Sequence, residues 1–172
     1  MDDDWVYYSV AVSKYNPKYR DENGDYKRDE WMGYSEIGDI FQGKEFNYDE
    51  YLEIELKYIK AAKLFLEYEK CNSLIVMDLE NYIDEGKFLN QDKDLVPFYN
   101  SLEEGKIISV DSLEIIMKIM LRGYVWCNLI CQDKEKTSLR YSSDFYLFLV
   151  SQNNLKVSIL KQKIVELGLF MT

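Results

Sequence analysis

The chain has 172 residues, 47% hydrophobic and 30% charged, with 31 acidic against 21 basic side chains, a formal net charge of −10, 15 tyrosines and no histidine. That length suits one domain with its own core, and the charged fraction with few glycines and prolines excludes a low-complexity or disordered chain. Without histidine the commonest general base, proton shuttle and transition-metal ligand is missing, so composition points away from catalysis and towards an acidic, aromatic binding surface.

The opening Met1-Asp2-Asp3-Asp4 is acidic where a secretory leader is basic, and no apolar run follows it, so a cytoplasmic protein is expected. Trp5 to Ser13, aromatic and β-branched and followed by Asn16-Pro17, predicts a strand and a turn. Asn23-Gly24 marks a tight turn in the polar stretch Lys18 to Glu30, with Tyr26 to Trp31 returning as the second arm of an irregular hairpin. Ser35 to Phe41 reads as a short helix capped by Ser35, weakened by Gly38 and ended by Gly43. The clearest element is a helix from Tyr48 to about Lys70, started by the capping-box spacing of Asn47 and Glu50. Leu52, Leu56, Ile59, Ala62 and Leu66 form its core stripe, flanked by Tyr51, Tyr58 and Phe65, while Glu53 and Lys57 pair on the wet side.

Ser73 to Glu80 predicts a strand that starts buried and becomes half exposed at Asp78 and Glu80. An acidic connection from Asn81 to Glu104 carries a short helix near its end. Asp111 then caps a helix to about Arg122, closed by Gly123, with Leu113, Ile116, Met117 and Met120 turned to the core. Tyr124 to Cys131, Ser138 to Tyr141 and Phe145 to Ser151 read as an antiparallel meander. Asn153 or Asn154 caps a last helix through Leu167, with Gly168 past its end. The sum is an α+β domain over residues 1–172: an antiparallel sheet of about four to six strands with three main helices packed on it. Leu113 to Cys131, the most apolar stretch, is broken by Glu114, Lys118 and Arg122 and does not read as a membrane span. Cys71, Cys127 and Cys131 leave one unpaired in any disulfide scheme and read as buried thiols in a reducing compartment.

Four patterns bear on chemistry. Asp21, Asn23, Asp25 and Asp29 match positions 1, 3, 5 and 9 of a calcium loop, but Gly24 is misplaced and Met32 stands where the bidentate glutamate belongs. Glu55-Leu56-Lys57 matches half of a nuclease core, yet it lies inside the best helix and reads as a solvated helix face. Cys127 and Cys131 share a strand face but lack the partners of a zinc site. Asp78 and Glu80, two apart on a strand, point to one face. That geometry makes a metal-dependent carboxylate hydrolase the alternative reading, with a regulatory adaptor as a third. No catalytic residue, metal or cofactor is expected.

Charge is uneven. Residues 1–105 carry 25 acidic against 12 basic side chains, a balance of −13, whereas residues 106–172 carry 6 against 9, a balance of +3. Such a surface repels nucleic acid and anionic membrane and speeds encounter with a basic protein. Tyr7, Tyr8, Tyr15, Tyr19, Tyr26, Tyr34, Tyr48 and Tyr51 crowd the same part of the chain, and tyrosine is enriched at protein interfaces. Two segments combine acids with rings: Asp21, Glu22, Asp25, Tyr26, Asp29, Glu30 and Trp31, and then Asp78, Glu80, Tyr82, Asp84 and Glu85. These twelve are the candidate partner-binding residues, with charge complementarity at the rim and aromatic anchors inside it.

The stretch Lys14-Tyr15-Asn16-Pro17-Lys18-Tyr19-Arg20-Asp21-Glu22-Asn23-Gly24-Asp25-Tyr26, continued by Asp29-Glu30-Trp31 and Ser35-Glu36-Ile37-Gly38, resembles immunity proteins of bacterial contact-dependent growth inhibition and related polymorphic toxin systems. Glu50-Tyr51, Tyr58-Ile59 and Ala61-Ala62 extend the resemblance over roughly the first 70 residues. It implies a cytoplasmic protein without catalysis of its own that binds one secreted toxin domain and blocks its active site. Many such toxins are nucleases with basic clefts, a target that suits an acidic inhibitor.

Overall fold

The structure is a computed structural model that describes residues 7–82, 88 and 90–172. In chain order its elements are strand β1 (Tyr8–Ser13), a small hairpin of β2 (Ile40–Phe41) and β3 (Lys44–Glu45), helix α1 (Tyr48–Glu69), strand β4 (Ser73–Asn81) and the one-turn helix α2 (Val96–Tyr99). They continue through β5 (Ile107–Ser109), α3 (Leu113–Leu121), β6 (Val125–Cys131), β7 (Lys134–Ser142), β8 (Tyr146–Ser151), α4 (Ile159–Glu166) and β9 (Phe170–Met171). The main sheet has seven strands in the order β5-β4-β6-β7-β8-β1-β9, every described pairing antiparallel. The fold is therefore α+β as expected, with more strands than the four to six foreseen. The additions β5 and β9 are three and two residues long, too short for alternation to register.

Pairing register decides which side chains share a face. Val10, Val12, Leu74, Val76, Cys127, Leu129, Leu139, Leu147 and Leu149 are buried in one contiguous core with Phe65 and Ile59 of α1, Ile116 and Met120 of α3 and Leu160 of α4. The meander β6-β7-β8 forms as predicted, with β7 beginning at Lys134 because Gln132 and Asp133 make a tight turn. No helix among the described residues is long and apolar enough to cross a membrane.

Helix α1 starts where the sequence says, the Asn47 side chain accepting the Glu50 N–H at 3.0 Å. Its buried face is rotated from the expected stripe. Ile59, Ala62 and Leu66 of that stripe are buried, joined by Tyr51, Glu55, Tyr58, Phe65 and Glu69, whereas Leu56 is 48% exposed and Leu52 only half-buried. Glu55, read as part of a solvated face, is buried because Arg122 meets it with two hydrogen bonds of 2.8 and 2.7 Å. Asp92, expected in an acidic connection, is fully buried and accepts from Arg122, from Tyr34 Oη at 2.6 Å and from Tyr124 Oη. Burial opposes the Arg122 charge, but the Glu55 and Asp92 carboxylates more than offset it and hold the guanidinium above its ordinary pKa.

Three local expectations fail. Residues 34–36 form a single 3-10 turn in place of a helix, after which Gly38 (φ 100°) turns the chain into the β2-β3 hairpin. Gln42 and Gly43 close that hairpin, both at positive φ, the turn that matches strand twist. Tyr26 to Trp31 makes no hairpin arm beyond one bridge between Arg20 and Tyr26, because the Tyr26 ring packs on Tyr15 and the Trp31 ring on Phe46 and Phe145. Cys71 and Cys131, expected as thiols, are bonded to each other with Cα atoms 5.9 Å apart, tying the end of α1 to β6. Cys127 is the free thiol, pushed up to about 12 by burial and by the Glu104 carboxylate.

Candidate functional site

The two acidic, aromatic segments come to the same end of the main sheet. The first is anchored at β8: the Arg20 guanidinium donates to Tyr146 Oη and to the Gly24 carbonyl, and the Tyr15 ring contacts those of Tyr26 and Tyr146 at 5.0 and 5.4 Å. The second lies at the end of β4, where Glu80 pairs opposite Trp126 and Tyr82 donates its N–H to the Tyr124 carbonyl. Three strand spacings separate β4 from β8, about 14 Å. A cavity of about 380 Å³ opens at this end, its lining including Tyr82, Gly123, Trp126, Tyr141, Ser142 and Ser143.

The candidate residues divide into two kinds. Glu22, Asp25, Asp29, Asp78, Glu80 and Tyr82 are exposed. Asp21, Tyr26, Glu30 and Trp31 are half-buried and hold the loop together. The Asp21 carboxylate accepts the N–H groups of Asn23 and Asp25, both at 2.9 Å, and pairs with Lys27 at 2.7 Å. Tyr26 Oη donates to Glu30, and Trp31 stacks on Phe46 at 4.3 Å. Asp84 and Glu85 lie outside the described residues.

Beneath the first segment sits a lysine the sequence did not single out. The Lys14 ammonium lies 4.3 and 4.1 Å from the ring centroids of Tyr15 and Trp31 and 3.5 Å from Glu30, with its side chain 7% exposed. Its backbone N–H donates to Tyr58 Oη, which donates in turn to the Phe145 carbonyl. Burial lowers its pKa to about 8, Glu30 offsetting part of the effect. Between that value and the ordinary lysine value, the folded state binds fewer protons than the unfolded chain, so this group makes stability rise with pH. Above pH 10 the tyrosines whose pKa values burial raises, Tyr15, Tyr34, Tyr51, Tyr58 and Tyr141, act in the opposite sense. The urea midpoint of the wild type is expected to rise from pH 7 to about 9.5, and Lys14→Met to flatten that rise. A flat wild-type profile would place the ammonium in water.

Asp78 and Glu80 do not form the pair that strand alternation implies. Met77 pairs with Asn128 and Glu80 with Trp126, so β4 carries one extra residue in a bulge, with Asp78 at φ 53°. The Glu104 carboxylate accepts the N–H groups of Asp78 and Leu79 at 3.0 and 2.8 Å. Asp78 accepts from the Asn128 amide nitrogen, while Glu80 accepts from Tyr82 Oη at 3.0 Å. The two carboxylates thus have separate partners, and among the described residues no three of His, Cys, Asp or Glu converge to hold a metal ion. Among the described residues the buried Asn128 Oδ1 has no hydrogen-bond partner. Neither Glu104 nor Asn128 carries a sequence signal, since the groups they meet lie 25 to 50 residues away.

Comparison with known proteins finds no matching family model, curated protein or solved structure.

Proposed function

We propose that the chain is an immunity protein that binds a cognate secreted toxin domain, a nuclease with ribonuclease favoured, and covers its basic active-site cleft. The observation that carries this reading is that two acidic, aromatic segments, 57 positions apart from Asp21 to Asp78, are anchored at the same end of one sheet, the first at Tyr146 of β8 and the second at the end of β4. Exposed Glu22, Asp25, Asp29 and Glu80 offer carboxylates where nucleic acid phosphates would otherwise sit in such a cleft. The likeness of residues 14–62 to immunity proteins supports the same reading. The protein then acts in the cytoplasm, with no chemistry of its own. The Cys71–Cys131 bond stands against that compartment, since disulfides are rare in reducing cytoplasm.

The test is binding to the toxin domain encoded immediately upstream. Association is expected to slow steeply with added salt. The triple variant Glu22→Lys, Asp25→Lys, Glu80→Lys should associate at least about tenfold more slowly and with a shallower salt dependence. Unchanged kinetics would move the interface elsewhere, and failure of any complex to form would reject the inhibitor reading.

A further inference from the structure

Among the described residues, the face of the main sheet turned away from the helices carries partly exposed apolar side chains set around the polar Asn128, Ser138 and Arg140. Ile75 and Met77 of β4, Trp126 and Ile130 of β6, and Phe148 and Val150 of β8 alternate with the buried residues of their strands. They are partly exposed and belong neither to the buried core nor to the half-buried residues packed on it. Register joins them into rows: Ile107, Ile75 and Ile130 lie side by side, as do Met77, Asn128, Arg140 and Phe148. An antiparallel sheet with one wet face normally alternates apolar and polar residues, whereas in β8 Phe148 and Val150 on the open face are as apolar as Leu147 and Leu149 on the buried one. Strands of that composition have a second face to bury.

Resting on the inhibitor reading, we infer that this open face is the body of the interface and that the β4 bulge receives a lysine or arginine side chain of the basic protein partner. The occupant follows from the polar groups set within the apolar surface. Asn128 is 5% exposed, its Oδ1 has no hydrogen-bond partner among the described residues, and its amide nitrogen is engaged by the Asp78 carboxylate. A cationic donor entering beside Asp78 satisfies that oxygen and meets a carboxylate in the same step, the pairing that buried polar groups require. Glu80 stands in the next row, opposite Trp126. Arg140, opposite Asn128 in register, is exposed and gives the partner one cation to match with an acid. Size agrees: β4 to β8 over five residues is roughly 400 Å² with side chains, about half of one partner's share of a standard interface. The acidic end of the sheet, continuous with it at Glu80 and Trp126, supplies the remainder.

The experiment is hydroxyl-radical footprinting of the wild-type protein alone and with the upstream-encoded toxin domain, paired with dissociation rates for Asn128→Leu and Leu56→Asp. Labelling of Met77, Trp126 and Phe148 is expected to fall several-fold in the complex. Asn128→Leu, which keeps the branched shape and removes the amide, should dissociate about tenfold faster. Leu56→Asp, on the opposite side of the molecule, should leave the rate unchanged. A complex in which the three residues label as freely as before overturns this placement and leaves the inhibitor reading standing. Concentration-dependent protection of the protein alone assigns the face to a second copy and overturns it too. Absence of any complex overturns the inhibitor reading and the partner assigned here together.

Discussion

Arg122→Ala is expected to lower the unfolding free energy by about 3–5 kcal/mol, the largest loss from any single substitution outside the hydrophobic core. The side chain is 6% exposed between Glu55 of α1, 2% exposed, and Asp92, fully buried in the turn before α2. Its guanidinium also lies 5.4 Å from the Tyr34 ring centroid. Removing it leaves two carboxylates in the interior with, among the described residues, only the Tyr34 and Tyr124 hydroxyls as side-chain donors to Asp92. Urea denaturation at neutral pH measures the loss. Replacing the charges together, Arg122→Met with Glu55→Leu and Asp92→Asn, should recover most of it, because the cost lies in the uncompensated charge rather than in lost attraction. A loss below about 1 kcal/mol would show that water reaches the site.

Reducing the Cys71–Cys131 bond is expected to cost about 4 kcal/mol. The two residues are 60 apart in sequence, and closing a loop of that length removes roughly this much chain entropy from the unfolded state. Melting with and without a thiol-free reductant, beside Cys71→Ser, should show the loss in the wild type alone. Identical melting with and without reductant would mean that both cysteines are thiols, as a reducing compartment implies, and would remove the disulfide as a feature opposed to a cytoplasmic location. Glu69 adjoins the bond, buried with Ser151 Oγ at 2.6 Å and Asn153 at 3.1 Å, so any slackening there is felt at the end of β8.

Helix α1 was legible because its start depends on neighbours three residues apart, and β6, β7 and β8 because each strand is long and joined to the next by a short turn. The rotation of α1 was not. Leu56 and Glu55 are adjacent, and choosing which faces inward depends on Arg122, 67 residues further on. Alternation also misled at Asp78 and Glu80, since a single extra residue in β4 breaks the parity from which a shared face was deduced. At the candidate site, composition marked the exposed Glu22, Asp25 and Glu80 but could not tell them from Glu30 and Trp31, which are turned inward against Lys14.

By itself the sequence determined the α+β class, the long capped helix, the meander and the concentration of acid in the first 105 residues, because propensity, capping and charge are properties of near neighbours or of sums. Tertiary structure alone decided that two acidic segments are carried to one end of the sheet, that Glu55, Asp92 and Arg122 are buried together, and that β4 bulges beside Asn128. Each of those depends on groups 30 or more positions apart competing for the same interior volume, and only the folded chain brings them within hydrogen-bonding distance.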